Sequence, residues 1–93
     1  MSDPLYVFAY DIVDDRIRRR VASLLEDQAV RVQGSVFEVR MSHDRARSLA
    51  ERLAVELDRG DSLRVYCLRA DDLDQSMAFG APPLPEAQDF YLL

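Results

Sequence analysis

Two segments of this chain carry apolar residues at helical spacing, and each lies between segments that read as strands. That order sharply limits the folds open to it. Ile17, Val21, Leu24 and Leu25 form one stripe, and Ala46, Leu49, Ala50, Leu53 and Leu57 form a second, so each helix lays one face on a core. Asp14 suits the N-cap of the first helix, with Asp15 in its first turn, where negative charge meets the positive end of the helix dipole. Ser42 suits the N-cap of the second, and Gly60 its end.

Between and around the helices lie the strands. Val7, Phe8, Ala9 and Tyr10 make a short, nearly continuous apolar run. Residues 30–41 alternate apolar and polar, and Gly34 with Ser35 interrupts them. The interruption predicts a tight turn or bulge dividing a short strand, 29–33, from a longer one, 36–41; one bent strand is the alternative. Residues 62–68 alternate again, with Leu63, Val65 and Cys67 on one side, and Cys67 reads as a small buried apolar residue. Asp71, Asp72 and Asp74 then predict an acidic loop, and residues 76–79 a short strand. Residues 80–85 hold Pro82, Pro83 and Pro85 and continue neither helix nor central sheet. The apolar stretch Phe90, Tyr91, Leu92 and Leu93 calls for a sheet edge or a partner to cover it.

The fold class is therefore α+β: a ferredoxin-like βαββαβ antiparallel sheet with two helices on one face, plus a C-terminal strand extension. Residues 1–80 form the domain, and residues 81–93 an extension packing on a dimer partner. At 93 residues there is material for one two-layer core.

A net charge of -5 excludes a protein that coats nucleic acid with its whole surface, so phosphate binding must be local. All 12 basic residues are Arg, whose planar fork grips phosphate bidentately, although a GC-rich genome gives the same usage. Cys67 is the only cysteine, which rules out an intrachain disulfide and a cysteine-based zinc site within one chain. No charged leader precedes Tyr6 and no apolar run nears membrane-spanning length, so a cytoplasmic protein without membrane contact is expected.

Asp11, at the end of the first apolar run, is the leading functional candidate. An ionised carboxylate beside buried surface is costly unless a metal ion, an arginine or a backbone N–H pairs with it; alternatively Asp11 only braces the turn into the helix. Arg16, Arg19 and Arg20 share the solvent side of the first helix, and Arg18 flanks its apolar stripe. They read as phosphate ligands or as a solvated face. His43 falls in a strand-to-helix turn, where an exposed structural role is expected, and Glu38 reads as a surface charge.

Tyr10-Asp11-Ile12, the pair Asp14 and Asp15, the arginines after them and residues 31–38, Arg-Val-Gln-Gly-Ser-Val-Phe-Glu, resemble the small CRISPR-associated adaptation subunit, the Cas-two family. The likeness runs in order and spacing from Tyr6 to Leu68. It implies a ferredoxin-like homodimer that works with the Cas-one integrase to capture foreign DNA protospacers as new spacers. Members are described as metal-dependent endonucleases acting on single-stranded RNA or on DNA.

Carried over by position, Asp11 matches the family's catalytic, metal-associated acid, and one Mg²⁺ would be shared by Asp11 of two subunits. Tyr10, Arg18, Arg20, Arg31 and Phe37 match positions tied to nucleic-acid handling or activity. Arg16 and Arg19 join them as phosphate ligands on charge, and Ser35 through its hydroxyl; Phe37 reads equally as core. Gly34 departs from the family pattern, which has a large residue there. Two functions follow: a Mg²⁺-dependent nuclease centred on Asp11, or a non-catalytic DNA-binding scaffold bridging integrase subunits. A regulatory module binding a small effector would need a pocket that the sequence does not announce.

Overall fold

The computed structural model describes residues 3–80; the expected C-terminal extension, residues 81–93, lies outside the described residues. Seven elements follow in order: β1 (Leu5–Asp11), α1 (Asp15–Glu26), β2 (Val30–Gln33), β3 (Val36–Arg40), α2 (His43–Ala54), β4 (Ser62–Leu68) and α3 (Ala70–Asp74). The sheet runs β2-β3-β1-β4 and every neighbouring pair is antiparallel. This is the expected ferredoxin-like order, and residues 30–41 form two strands joined by a turn at Gly34 and Ser35.

The two helices form where their caps and stripes say they should. The Asp14 carboxylate accepts the Ile17 and Arg16 backbone N–H groups at 3.1 and 2.8 Å, and these bonds lower its pKa. Ser42 Oγ accepts the Arg45 N–H at 3.3 Å. Val21, Ala22 and Leu25 of α1 and Ala46, Leu49 and Leu53 of α2 pack on Tyr6, Phe8, Tyr10, Phe37 and Val39 of the sheet. Strand alternation sends the other set of side chains to the face away from the helices. That open face carries Val7, Ala9 and Asp11 of β1, Val36, Glu38 and Arg40 of β3, and Ser62, Arg64, Tyr66 and Leu68 of β4.

Four expectations need correction. α2 ends at Ala54 rather than running to Gly60. The Glu56 and Leu57 N–H groups bond three residues back, to Leu53 and Ala54, and this tightening lets Leu57 reach the core from beyond the helix. Gly60, at φ +91, instead serves the turn that leads into β4. The acidic segment is helical: Asp71 and Asp72 sit in the first turn of α3, where the helix dipole favours them, and Asp72 accepts the Arg69 N–H. Residues 76–79 form no strand. Ser76 instead turns back, its hydroxyl donating to the Asp72 carbonyl, while Met77 and Phe79 are 76% and 90% exposed. Finally, Cys67 is exposed, because β4 lies at the edge of the sheet that the described residues form and the first turns of α2 leave a cleft beside it.

Glu38 alternates off the helix side as expected but is not a freely solvated charge, since burial raises its carboxyl pKa. A carboxyl raised in the folded state binds its proton more readily folded than unfolded. It therefore favours folding at acid pH, and that contribution is lost as pH rises from the ordinary carboxylate range through the raised folded value. Glu38→Gln is expected to raise Tm by ~1–3 °C at pH 7 and to leave it unchanged near pH 3. Equal shifts at both pH values in thermal melts would show that the charge is not what matters.

Candidate nucleic-acid interface

At one end of the sheet, β1 finishes, α1 begins and the β2–β3 hairpin turns. Tyr10 ties these together. Its backbone N–H donates to the Ser35 carbonyl at 3.1 Å and its hydroxyl to the Gly34 carbonyl at 3.2 Å. Beneath the hairpin Phe37 is fully buried and stacks with Tyr10 at a centroid distance of 6.3 Å. The Arg31 guanidinium lies 5.1 Å above the Phe37 ring and pairs with Glu26 at 3.3 Å. Phe37 thus belongs to the core and supports Arg31 from below.

Arg18 curls back along the β1–α1 connection. Its Nη1 donates to the Ile12 and Val13 carbonyls at 2.9 and 3.2 Å, and Nη2 pairs with Asp15. Arg19 Nε reaches the Asp15 carbonyl at 3.4 Å. The result is a cleft of about 420 Å³ lined by Tyr10, Arg18, Arg19, Ala22, Arg31, Gly34 and Ser35. Three arginines and Ser35 line it, and no carboxylate residue does. The pairs to Asp15 and Glu26 are exposed contacts of the kind worth at most ~1 kcal/mol, so an incoming phosphate can compete for these arginines. A side chain at Gly34 would enter open space, and its backbone does not demand glycine.

Two arginines expected at this surface lie elsewhere. Arg20 pairs with Glu56 at 2.8 Å, which raises its pKa and clips α1 to the chain after α2. Arg16, one helical turn earlier, is exposed and outside the cleft. Arg16 and Arg20, four residues apart, share one face of the helix, on the side opposite Arg18.

Asp11 follows Tyr10 but faces the other way. It is exposed at the end of β1, opposite Ser62 on the open side of the sheet. Among the described residues it has no hydrogen-bond or ion-pair partner, so it does not brace the turn. Asp61 does that instead, accepting the Val13 N–H at 3.2 Å and the Asp58 N–H at 2.9 Å. Sequence reading missed Asp61, which only the loop path brings near Val13. It also missed Ser62, Arg64 and Tyr66, although β4 alternation, used there only for Leu63, Val65 and Cys67, places them on the face of Asp11.

A second polar cluster lies at the opposite end of β1. The Tyr6 hydroxyl is 3.2 Å from His43 Nδ1, and both line a cleft of about 290 Å³ with Cys67. Burial and then Cys67 push the Tyr6 pKa up to about 12, so it remains a neutral hydroxyl. His43 is exposed in the first turn of α2, with its Nδ1 facing the Tyr6 hydroxyl. Among the described residues no three His, Cys, Asp or Glu side chains are grouped to hold a metal, and no helix is long and apolar enough to cross a membrane.

Residues 4–76 match the family described as CRISPR associated protein Cas2. The chain belongs to the Cas2 family. A CRISPR-associated endoribonuclease Cas2 of Synechocystis sp. is 47% identical over 81 residues, covering 86% of this chain and 88% of that protein. A CRISPR-associated endonuclease Cas2 of Thermus thermophilus is 38% identical over 94 residues, covering both chains fully. Among solved structures, a chain of a partial Cas6-RT-Cas1–Cas2 complex superposes with a TM-score of 0.70 at 31% identity, over 90% of this chain and 96% of that one. Most of this Cas2 chain, including both the arginine cleft and Asp11, falls within the matched region.

Proposed function

We propose that this Cas2 chain is a cytoplasmic, nucleic-acid-binding homodimer of CRISPR adaptation that hydrolyses phosphodiester bonds at Asp11. One observation carries the reading: a carboxylate-free cleft with three arginines and an unengaged, exposed Asp11 occupy the same end of the sheet. The relatives named endoribonuclease and endonuclease support hydrolysis, and the Cas1–Cas2 complex supports a Cas1 integrase as partner. The homodimer is supported by the open face, where Val7, Ala9 and Val36 are half-buried and Tyr66 is 52% exposed. A second copy on that face covers them and brings two Asp11 carboxylates together.

The donor chemistry at Asp11 suits Mg²⁺, a hard cation that takes one or two carboxylates and keeps several waters. Asp11 of each subunit would hold it. Bound there, the ion supplies Lewis-acid polarisation of a phosphate and a more acidic water. Arg18, Arg19 and Arg31 neutralise backbone phosphates, the Ser35 hydroxyl bonds a phosphate oxygen, and Tyr10 holds the hairpin that carries Ser35. These contacts touch no base, so single-stranded RNA and protospacer DNA both fit them.

A second reading, the scaffold bridging Cas1 subunits, is favoured by one geometric fact. The arginine cleft and Asp11 face opposite sides of the sheet, so the cleft can hold DNA without involving the acid. Asp11→Asn separates the readings. Both require the cleft. Arg31→Ala is expected to weaken duplex binding ~5–10-fold and to reduce the slope of log affinity against log salt by ~0.9 for each phosphate it leaves unneutralised. Arg31→Lys, which keeps the charge, should recover much of the slope. Unchanged affinity and slope in a salt titration of Arg31→Ala would remove the cleft from the interface.

A further inference from the structure

Another cleft, of about 290 Å³, lies in the helix layer, on the side of the sheet away from the open face. Gln28 of the α1–β2 connection lines it with Asp44, Arg45, Ser48, Leu49 and Arg52 of α2. It shares no residue with the arginine cleft at the hairpin. Helical geometry accounts for the grouping. Arg45 and Arg52 are seven residues apart, close to two turns, so they fall on one side of α2 with about 10.5 Å of rise between them. Ser48 lies between them, and Asp44 one turn before Ser48. Leu49, 4% exposed, supplies an apolar floor. Arg18, Arg20 and Arg31 each pair with a carboxylate. Here, among the described residues, the side chains of Gln28, Asp44, Arg45, Ser48 and Arg52 make no hydrogen bond or ion pair at all, although an acid and two arginines line the same cleft.

Those side chains ask for two things of a ligand. The arginines, the Ser48 hydroxyl and the Gln28 amide donate, and the arginine fork matches phosphate oxygens. The Asp44 carboxylate only accepts, so it opposes a bare phosphate and needs a hydroxyl or amine donor beside the anion. A ribose phosphate carries both groups on one small frame. A carboxylate bonded to a ribose hydroxyl is the pairing that dinucleotide sites use, and the 2′-hydroxyl is the group by which a protein tells RNA from DNA. A volume of 290 Å³ stands near the lower end of the ~300–1,000 Å³ range of small-ligand sites, which suits one sugar-phosphate unit rather than a duplex.

We propose that this cleft binds one ribose phosphate unit, with Arg45 and Arg52 holding the phosphate and Asp44 accepting a hydrogen bond from the ribose hydroxyl. The unit comes from an RNA strand or from a free ribonucleotide, which present the same chemistry. The site depends neither on Asp11 nor on the hairpin cleft, and a second copy on the open face leaves it uncovered.

The test is a calorimetric titration of the full chain with uridine monophosphate and its 2′-deoxy analogue, repeated with short uridine and deoxyuridine oligonucleotides, all without Mg²⁺ so that strands stay intact. Wild type is expected to bind the ribo form ~10-fold more tightly, the scale of one hydrogen bond to a charged group. Asp44→Asn should erase most of that preference without weakening the deoxy form. Arg45→Ala and Arg52→Ala should each weaken both forms ~10-fold, with Arg52→Lys recovering part of the loss, and Arg31→Ala in the other cleft should leave the ribo-to-deoxy ratio unchanged. These α2 side chains are exposed, so the variants should melt close to the wild type. A preference shown by the oligonucleotides assigns the unit to an RNA strand, and one confined to the monophosphate assigns it to a free nucleotide; both support the site. Equal affinity of wild type for ribo and deoxy forms would overturn the proposal, as would a preference that survives Asp44→Asn or affinities that Arg45→Ala and Arg52→Ala leave unchanged. None of these outcomes bears on cleavage at Asp11 or on duplex binding by Arg31.

Discussion

Asp11→Asn is expected to lower the rate of Mg²⁺-dependent cleavage of single-stranded RNA by roughly 100–1,000-fold or more, the scale on which loss of one preorganised electrostatic group acts, while duplex binding stays within about twofold. The substitution is nearly isosteric and removes the charge, so it tests the property that a hard cation requires. It should also be quiet structurally. Asp11 is exposed at the end of β1 and engages no partner among the described residues, and substitutions at such sites usually lie within about 0.5 kcal/mol. A matched Tm, an unchanged salt slope and abolished cleavage would place the chemistry at Asp11. Equal cleavage by both proteins would sink that assignment, and absence of cleavage in both with binding intact would leave the arginine cleft as the functional part of a Cas1-bridging scaffold.

This division between cleft and acid was only partly legible in the sequence. Local signals came through well. Asp14 and Ser42 announce their helices because a cap is satisfied by N–H groups two or three residues away, and the β1 run could be read because period and burial agree over a few residues. Long-range pairings could not be read. Arg20 looked like Arg18 and Arg19 in a charge run, yet its partner Glu56 lies 36 residues on, in the chain just after α2. The same is true of Asp61, whose capture of the Val13 N–H spans 48 residues. Cys67 misled because alternation indicates which face a side chain points to, not whether a helix extends far enough to cover it. The aspartates of α3 misled in the opposite direction, because a composition that suggests a loop is also what the first turn of a short helix favours.

Phe37 is where the two kinds of reading meet, and Phe37→Ala is expected to destabilise the domain by ~3–5 kcal/mol, the range for emptying a buried phenylalanine site. That is a large share of the ~5–15 kcal/mol that holds a typical domain together. The ring is fully buried, opposite Phe8 in the β1–β3 ladder and opposite Arg31 across β2. Its removal takes away the surface against which Tyr10 stacks and Arg31 rests. The alanine variant should therefore lose nucleic-acid binding and native structure together, with its urea midpoint falling accordingly. Phe37→Leu refills much of the volume at a cost of about 1.5 kcal/mol but offers no ring face to Arg31. If Phe37 acts only as core, Phe37→Leu binds duplex as the wild type does. If the cation–π contact positions Arg31 for phosphate, it binds a few-fold more weakly while its midpoint stays far above that of the alanine variant, since such a contact at an exposed site is worth ~0.5–1 kcal/mol. A well-folded Phe37→Ala protein with weakened binding would contradict both outcomes and make the ring a direct contact, which its complete burial in the folded chain argues against.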